Sequence, residues 1–139
     1  MSARSRSSSI VSAGVAAALA VLSLSGCAPG GYSIFDRPQT ARDRLPREMV
    51  ESMDLSDFTL STSRFSASHN GVDYYLVKPS EGTMGPCIAL LGERGPSVSC
   101  AGSGVSVGND PEVQLVPEPA VEGRGWIAIS DNLRVRESD

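Results

Sequence analysis

The chain of 139 residues carries 16 acidic and 12 basic side chains, a formal net charge of −4, and eleven of its basic residues are arginine. This acidic balance lacks the basic surface that nucleic-acid phosphates require, and a single histidine, His69, rules out a multi-histidine metal site. The length suffices for one small domain with a modest core.

The chain opens on a short segment holding Arg4 and Arg6, followed by an apolar run from Ile10 to Leu24. Those 15 residues fall short of the roughly 20 that a spanning helix needs, and the run closes on small residues rather than a basic stop-transfer flank. An uncleaved N-terminal anchor is the other reading of such a run. Basic start, apolar middle and Ser25-Gly26 before Cys27 together read as a secretory signal.

The stretch Leu24-Ser25-Gly26-Cys27 resembles the lipobox of bacterial lipoproteins. That resemblance implies removal of residues 1–26 as a signal peptide and transfer of a diacylglyceryl group to the Cys27 thiol. Cys27 would then be the acylated, palmitate-type N-terminus, holding the protein on the outer face of the cytoplasmic membrane. Two or more acyl chains make such anchoring stable where one chain is marginal. With its arginine bias and small size, the chain is similar to small actinobacterial-type lipoproteins, a resemblance confined to about the first 27 residues.

Loss of Arg4 and Arg6 leaves 113 residues with a net charge of −6. Residues 28–44 hold two prolines, two glycines and scattered charges without an apolar period, the composition of a flexible tether. A tether of this length would hold a domain of residues 45–139 roughly 20–25 Å from the lipid. Tyr32, Ile34 and Phe35 are its exception, able to dock on the domain or dip into the interface. Over residues 28–47, Arg37, Arg42, Arg44 and Arg47 outnumber Asp36 and Asp43, whereas 14 acidic and 6 basic residues follow from Glu48 onward. A basic stem is attracted to an anionic bilayer and the acidic domain is repelled; a solvated linker is the plainer alternative.

Pro46 suits a first helical position, and Leu45, Met49 and Met53, with Val50 beside them, give one apolar stripe over a helix at 46–54. Farther on, Asn70-Gly71 between two period-2 segments signals a two-residue hairpin turn. Its register pairs Ala67 with Tyr74 and Phe65 with Leu76. Phe65, Ala67, His69, Val72, Tyr74 and Leu76 then form the core face, and Arg64, Ser66, Ser68, Asp73, Tyr75 and Val77 the outer one.

Once Cys27 is assigned to the lipid, Cys87 and Cys100 remain as an even pair in an exported compartment, and a disulfide is expected. Their odd separation, with a two-residue loop at Glu93-Arg94, makes 91/96, 89/98 and 87/100 non-hydrogen-bonded pairs, where Cα atoms lie about 4.5 Å apart. Cys87, Ala89, Leu91, Val98 and Cys100 share one face in this register. A short strand at 105–107, a strand at 113–116 stopped by Pro117 and Pro119, and a last element from Trp126 to Arg136 follow. Within that element Ser130-Asp131-Asn132 reads as a bulge or tight turn. The expected fold is mainly β: a small antiparallel sheet or open barrel-like domain of about five to six strands with one short N-terminal helix.

Little else carries chemistry. His69 beside its turn reads as a hydrogen-bonded structural residue. No G-x-S-x-G elbow is present, and no S-x-x-K precedes the only lysine, Lys78. Gly102-Ser103-Gly104 with Gly108 does not fit a phosphate-loop spacing. Asp110, Glu112, Glu118 and Glu122 lack the spacing of a dedicated calcium loop, so no metal or cofactor is expected. Trp126, Tyr74, Tyr75 and Phe65 read as core aromatics in preference to a ligand groove. The function expected is a membrane-anchored, non-enzymatic binding module for an unidentified envelope protein or cell-wall component; the alternative is a small cell-envelope hydrolase or inhibitor-like domain. Thiol labelling of the unfolded, unreduced domain should find Cys87 and Cys100 blocked, and reactive thiols at those positions would refute the pairing.

Overall fold

The computed structural model describes residues 31–81, 85–100, 112–136 and, as backbone only, 106–107. The signal segment with Cys27, the Gly102-Ser103-Gly104 loop with Gly108, and Asp110 lie outside the described residues.

Residues 31–44 form a strap with two short 3-10 turns, Ser33–Phe35 and Ala41–Asp43. It leads into helix α1 (Arg47–Ser52) and then β1 (Phe58–His69), β2 (Val72–Pro79), β3 (Cys87–Gly92) and β4 (Gly95–Ser99), which form an antiparallel sheet in sequence order. A second antiparallel sheet contains β6 (Glu112–Leu115), β8 (Leu133–Arg136) and β7 (Trp126–Ala128) in that order, with the two-residue β5 (Ser106–Val107) against β6. The mainly β, antiparallel expectation with one short helix therefore holds. The single sheet or barrel of five to six strands is replaced by two separate sheets, because the segment from Trp126 to Arg136 folds back on itself. Ser130-Asp131-Asn132 is a turn, and Ile127 pairs with Val135 across the hairpin it makes.

The Asn70-Gly71 turn forms as its sequence dictates, with φ of 48° and 76° at the two residues. Two successive left-handed residues match the twist of antiparallel strands, and Asn-Gly supplies them at low steric cost. The predicted pairing of Ala67 with Tyr74 is present, but Phe65 pairs with Tyr75 and Arg64 with Leu76, leaving Ser66 as a bulge. One extra residue in β1 turns every side chain before it to the opposite face. Phe65 is thereby moved from the expected core face to the other side, where it meets Tyr75 edge-on at 5.5 Å between ring centroids.

Both sides of β2 are covered, which corrects the expected half-exposed hairpin. Tyr74 and Leu76 join Ile88, Val113, Leu115, Leu133 and Val135 in a core between the two sheets. Tyr75 and Val77, expected on the outer face, join Cys87 and Ala89 beneath Leu45, Met49 and Leu55. A strand buried on both faces loses its polar alternation, and Tyr74-Tyr75-Leu76-Val77 is such a run. Helix α1 is shorter than the expected 46–54. Met49 is wholly buried while Val50, expected beside the stripe, is exposed. Burying Met49 contributes about 2 kcal/mol, more than a six-residue helix gains from propensity, so packing holds this helix in place.

The second hairpin has the register that its cysteine spacing requires. Gly92 pairs with Gly95, Leu91 with Pro96 and Ala89 with Val98, and Cys87 is joined to Cys100 with Cα atoms 4.4 Å apart. Leu91, Val98 and Cys100 pack on the same core as Cys87 and Ala89. In the chain-entropy model, closing a loop of this size stabilises by about 3 kcal/mol. Among the described residues, no helix is long and apolar enough to cross a membrane.

Candidate functional site

The stem expected to be a flexible tether is part of the folded domain from Gly31 onward. Its anchor point is Asp43, a carboxylate only 2% exposed. Arg37 donates both terminal nitrogens to it, at 2.5 and 2.7 Å. The Thr40 amide and hydroxyl donate at 2.7 Å each, and the Phe65 amide of β1 at 3.0 Å. Arg37 holds the Asp43 carboxyl far below the usual carboxylate range; burial opposes this, and the Thr40 and Phe65 donors reinforce it.

The same hub stitches the strap to an irregular stretch of β1. Between Thr59 and Arg64 the strand gains residues that β2 does not match, and the freed carbonyls accept from the strap. Gln39 Nε2 donates to the carbonyls of Leu60 and Ser63, and Ser63 Oγ donates to the Asp43 carbonyl. Arg64, buried, donates through Nε and a terminal nitrogen to the Arg37 carbonyl. Arg42 lies 4.0 Å above the Phe65 ring. Among the expected membrane-attracting arginines, Arg37 and Arg42 thus hold the strap, and Arg47 pairs with Glu51.

Farther toward the N-terminus, Tyr32, Ile34 and Phe35 pack against the core between the sheets. The Gly31 carbonyl accepts from the Glu118 amide at 3.0 Å and from Asn132 Nδ2 at 3.4 Å. Here the strap and the loops of the second sheet enclose an open cleft of about 700 Å³, lined by Gly31, Tyr32, Ser33, Asp36, Glu118, Pro119 and Asp131. A smaller hollow of about 280 Å³ adjoins it toward Arg37, Ser66, Ser130 and Asn132. Asp36, Glu118 and Asp131 give the cleft an acidic lip. Glu118 Oε1 accepts from the Ser33 amide and hydroxyl at 2.8 and 2.7 Å, so it closes the strap as well as lining the cleft.

The hydroxyls in the smaller hollow are engaged in structure. Ser66, turned toward the second sheet by its bulge, lies 2.7 Å from Ser130 Oγ. Ser130 Oγ also accepts from the amides of Asn132 and Leu133. His69 stands three residues along β1, with Nε2 3.2 Å from Asn70 Nδ2. The geometry gives the histidine to the turn and the serines to the inter-sheet contact.

The other predicted residues are dispersed. Glu112 pairs with Arg136 at 3.2 Å on the second sheet, Glu118 lines the cleft, and Glu122 is exposed. Among the described residues, no cluster of three or more histidine, cysteine or acidic side chains is placed to hold a metal. Sequence reasoning missed Asp43, counting it only as a stem charge. A signal was present: Thr40-Ala41-Arg42-Asp43 is a capping box, and both of its reciprocal bonds form. It also missed the convergence of Arg134 and Arg136 on Trp126, at 5.0 and 4.7 Å from the ring centroid. Compared with protein-family models, characterised proteins and solved structures, the chain has no significant match.

Asp43→Asn should lower stability at neutral pH by about 3 kcal/mol, because it removes a buried, multiply bonded charge. Arg37→Gln should cost less, about 1 to 2 kcal/mol, since the arginine side chain is 43% exposed. Because the folded carboxyl is held below its unfolded value, its contribution is complete above about pH 5 and is lost as the solution is acidified through the folded value. The gap between urea midpoints of the native chain and Asp43→Asn should therefore narrow progressively as the pH falls below about 5; a gap that stays constant would contradict the role given to Asp43.

Proposed function

We propose that this protein is a lipid-anchored envelope module, attached through Cys27 to the outer face of the cytoplasmic membrane, that works by binding and not by catalysis. The observation that carries this reading is the closeness of a lipobox-type cysteine to a folded strap. The Gly31 carbonyl is tied to Glu118 and Asn132, only four residues after Cys27. Four residues span at most about 14 Å, where a flexible stem of residues 28–44 would allow about 20–25 Å. The acyl chains would therefore hold the domain against the headgroup layer. An envelope protein or a cell-wall component within reach of the bilayer surface is the class of partner this position offers.

The disulfide supports an exported location, since such bonds persist in oxidising compartments. The engagement of Ser66, Ser130 and His69 in structural contacts favours binding over hydrolysis. Replacement Cys27→Ala should release the protein from membranes or leave its precursor unprocessed, as read by fractionation and intact mass. Unchanged fractionation with an unmodified mass would remove the lipid anchor from the account.

A further inference from the structure

The outer face of the second sheet brings two arginines onto one tryptophan. Val113, Leu115, Leu133 and Val135 point into the core, so the alternate residues of β6, β8 and β7 form the opposite face. Glu112, Arg136 and Trp126 make one row across the three strands, and Gln114, Arg134 and Ala128 the next. Arg134 and Arg136 stand over the Trp126 ring. Gln114 accepts from Arg134 Nε at 2.8 Å, and Glu112 pairs with Arg136. Arg124 sits at the tip of the Gly123–Trp126 turn that enters β7. Two arginines are thus stacked on the chain's only tryptophan.

We propose that this Trp126–Arg134–Arg136 face rests on anionic lipid headgroups. The proposal builds on the Cys27 anchor. Arginine is suited to phosphate through its planar, multi-donor guanidinium, and tryptophan favours the interfacial layer, where one end is apolar and the other wet. The chain's own geometry supplies the approach. Asn132 holds Gly31, and Arg136 lies four residues along from Asn132, about 13 Å at strand rise. The reach of the intervening chain, about 14 Å, is of the same length as the stretch from Asn132 to Arg136. The acidic lip formed by Asp36, Glu118 and Asp131 lies at the same end and is repelled by the same lipids. The arginine face has charge complementary to the bilayer, and within about 8 Å of the headgroups that charge acts with little screening.

Trp126 makes the test direct, because all tryptophan emission comes from this face. The chain from Cys27 to Asp139 contains every described element. With the Cys87–Cys100 disulfide intact, its Cys27 thiol can be coupled to a maleimide lipid in vesicles. This supplies the anchor chemically, so the outcome is independent of whether cells acylate Cys27. On phosphatidylglycerol vesicles, Trp126 emission should move to shorter wavelength and be lost to lipids brominated near the headgroup. Both effects should vanish on phosphatidylcholine vesicles, in high salt, and in the Arg134→Gln/Arg136→Gln double variant. The Arg134→Lys/Arg136→Lys pair should retain them, with circular dichroism confirming the fold of both variants. Emission unchanged from solution on anionic vesicles would overturn the proposal, as would equal quenching on neutral ones. Protection that grows with protein concentration in the absence of vesicles would assign the face to a second copy and overturn it too.

Discussion

Arg37, Thr40 and Phe65 all donate to one buried carboxylate, Asp43, and the position of the N-terminal strap depends on that convergence. Phe65 belongs to the edge strand of the first sheet, whereas Arg37 and Thr40 belong to the strap, so the carboxylate joins two segments with no backbone ladder between them. A buried charge is tolerated only when its lone pairs are filled. Asp43 therefore selects one arrangement of the strap: a displaced strap would leave the carboxylate and the Phe65 amide unpartnered. With Asp43 seated, Tyr32, Ile34 and Phe35 reach the core between the sheets, and the Gly31 carbonyl reaches Asn132. The cleft, its acidic lip and the short distance to Cys27 all follow from this placement.

The strap also reconciles a small chain with two cores. β2 is buried on both faces, one against the second sheet and one against α1 and the segment around it. A domain of this size has little apolar surface to spare, and residues drawn from the stem contribute to both sides. Tyr32, Ile34 and Phe35 serve the inter-sheet core; Arg42 covers Phe65 on the other. The disulfide closes the far hairpin beneath α1. Covalent and ionic constraints thus lie on opposite edges of the first sheet, at Cys87–Cys100 beside β4 and at Asp43 beside β1.

The elements set by local rules were legible in the sequence. Asn70-Gly71 specifies its turn because two left-handed residues are needed there, and the odd spacing of Cys87 and Cys100 sets them opposite each other about Glu93-Arg94, with Pro96 favouring the two-residue loop. The strand expected at 113–116 is present one residue earlier, from Glu112 to Leu115. What escaped was set by tertiary contact. The Ser66 bulge reverses the face of Phe65, and nothing local in Phe65-Ser66-Ala67 marks it; its reason lies across the inter-sheet space, at Ser130. Alternation alone points Tyr75 and Val77 outward, whereas α1 covers that face. Ser130-Asp131-Asn132 is open to a bulge or a tight turn in the sequence, because Ile127, Ile129, Leu133 and Val135 keep one parity through it; the pairing of Ile127 with Val135 makes it a turn. Within the candidate site, Glu118 was visible only as charge and Asp43 only as part of a basic stem, although the Thr40–Asp43 box carried the signal. The Cys27 anchor, in contrast, rests on sequence alone.

The central claim is that residues 31–44 belong to the fold, so that the folded domain begins four residues after Cys27. Amide hydrogen exchange of the oxidised chain measures this at the bonds concerned. The account predicts that the amides of Thr40, Phe65 and Glu118, which donate to Asp43, Asp43 and the Gly31 carbonyl respectively, exchange as slowly as the central strands. Exchange of Thr40 and Glu118 at unprotected-chain rates, with β2 and β3 still protected, would make the strap a tether and contradict it.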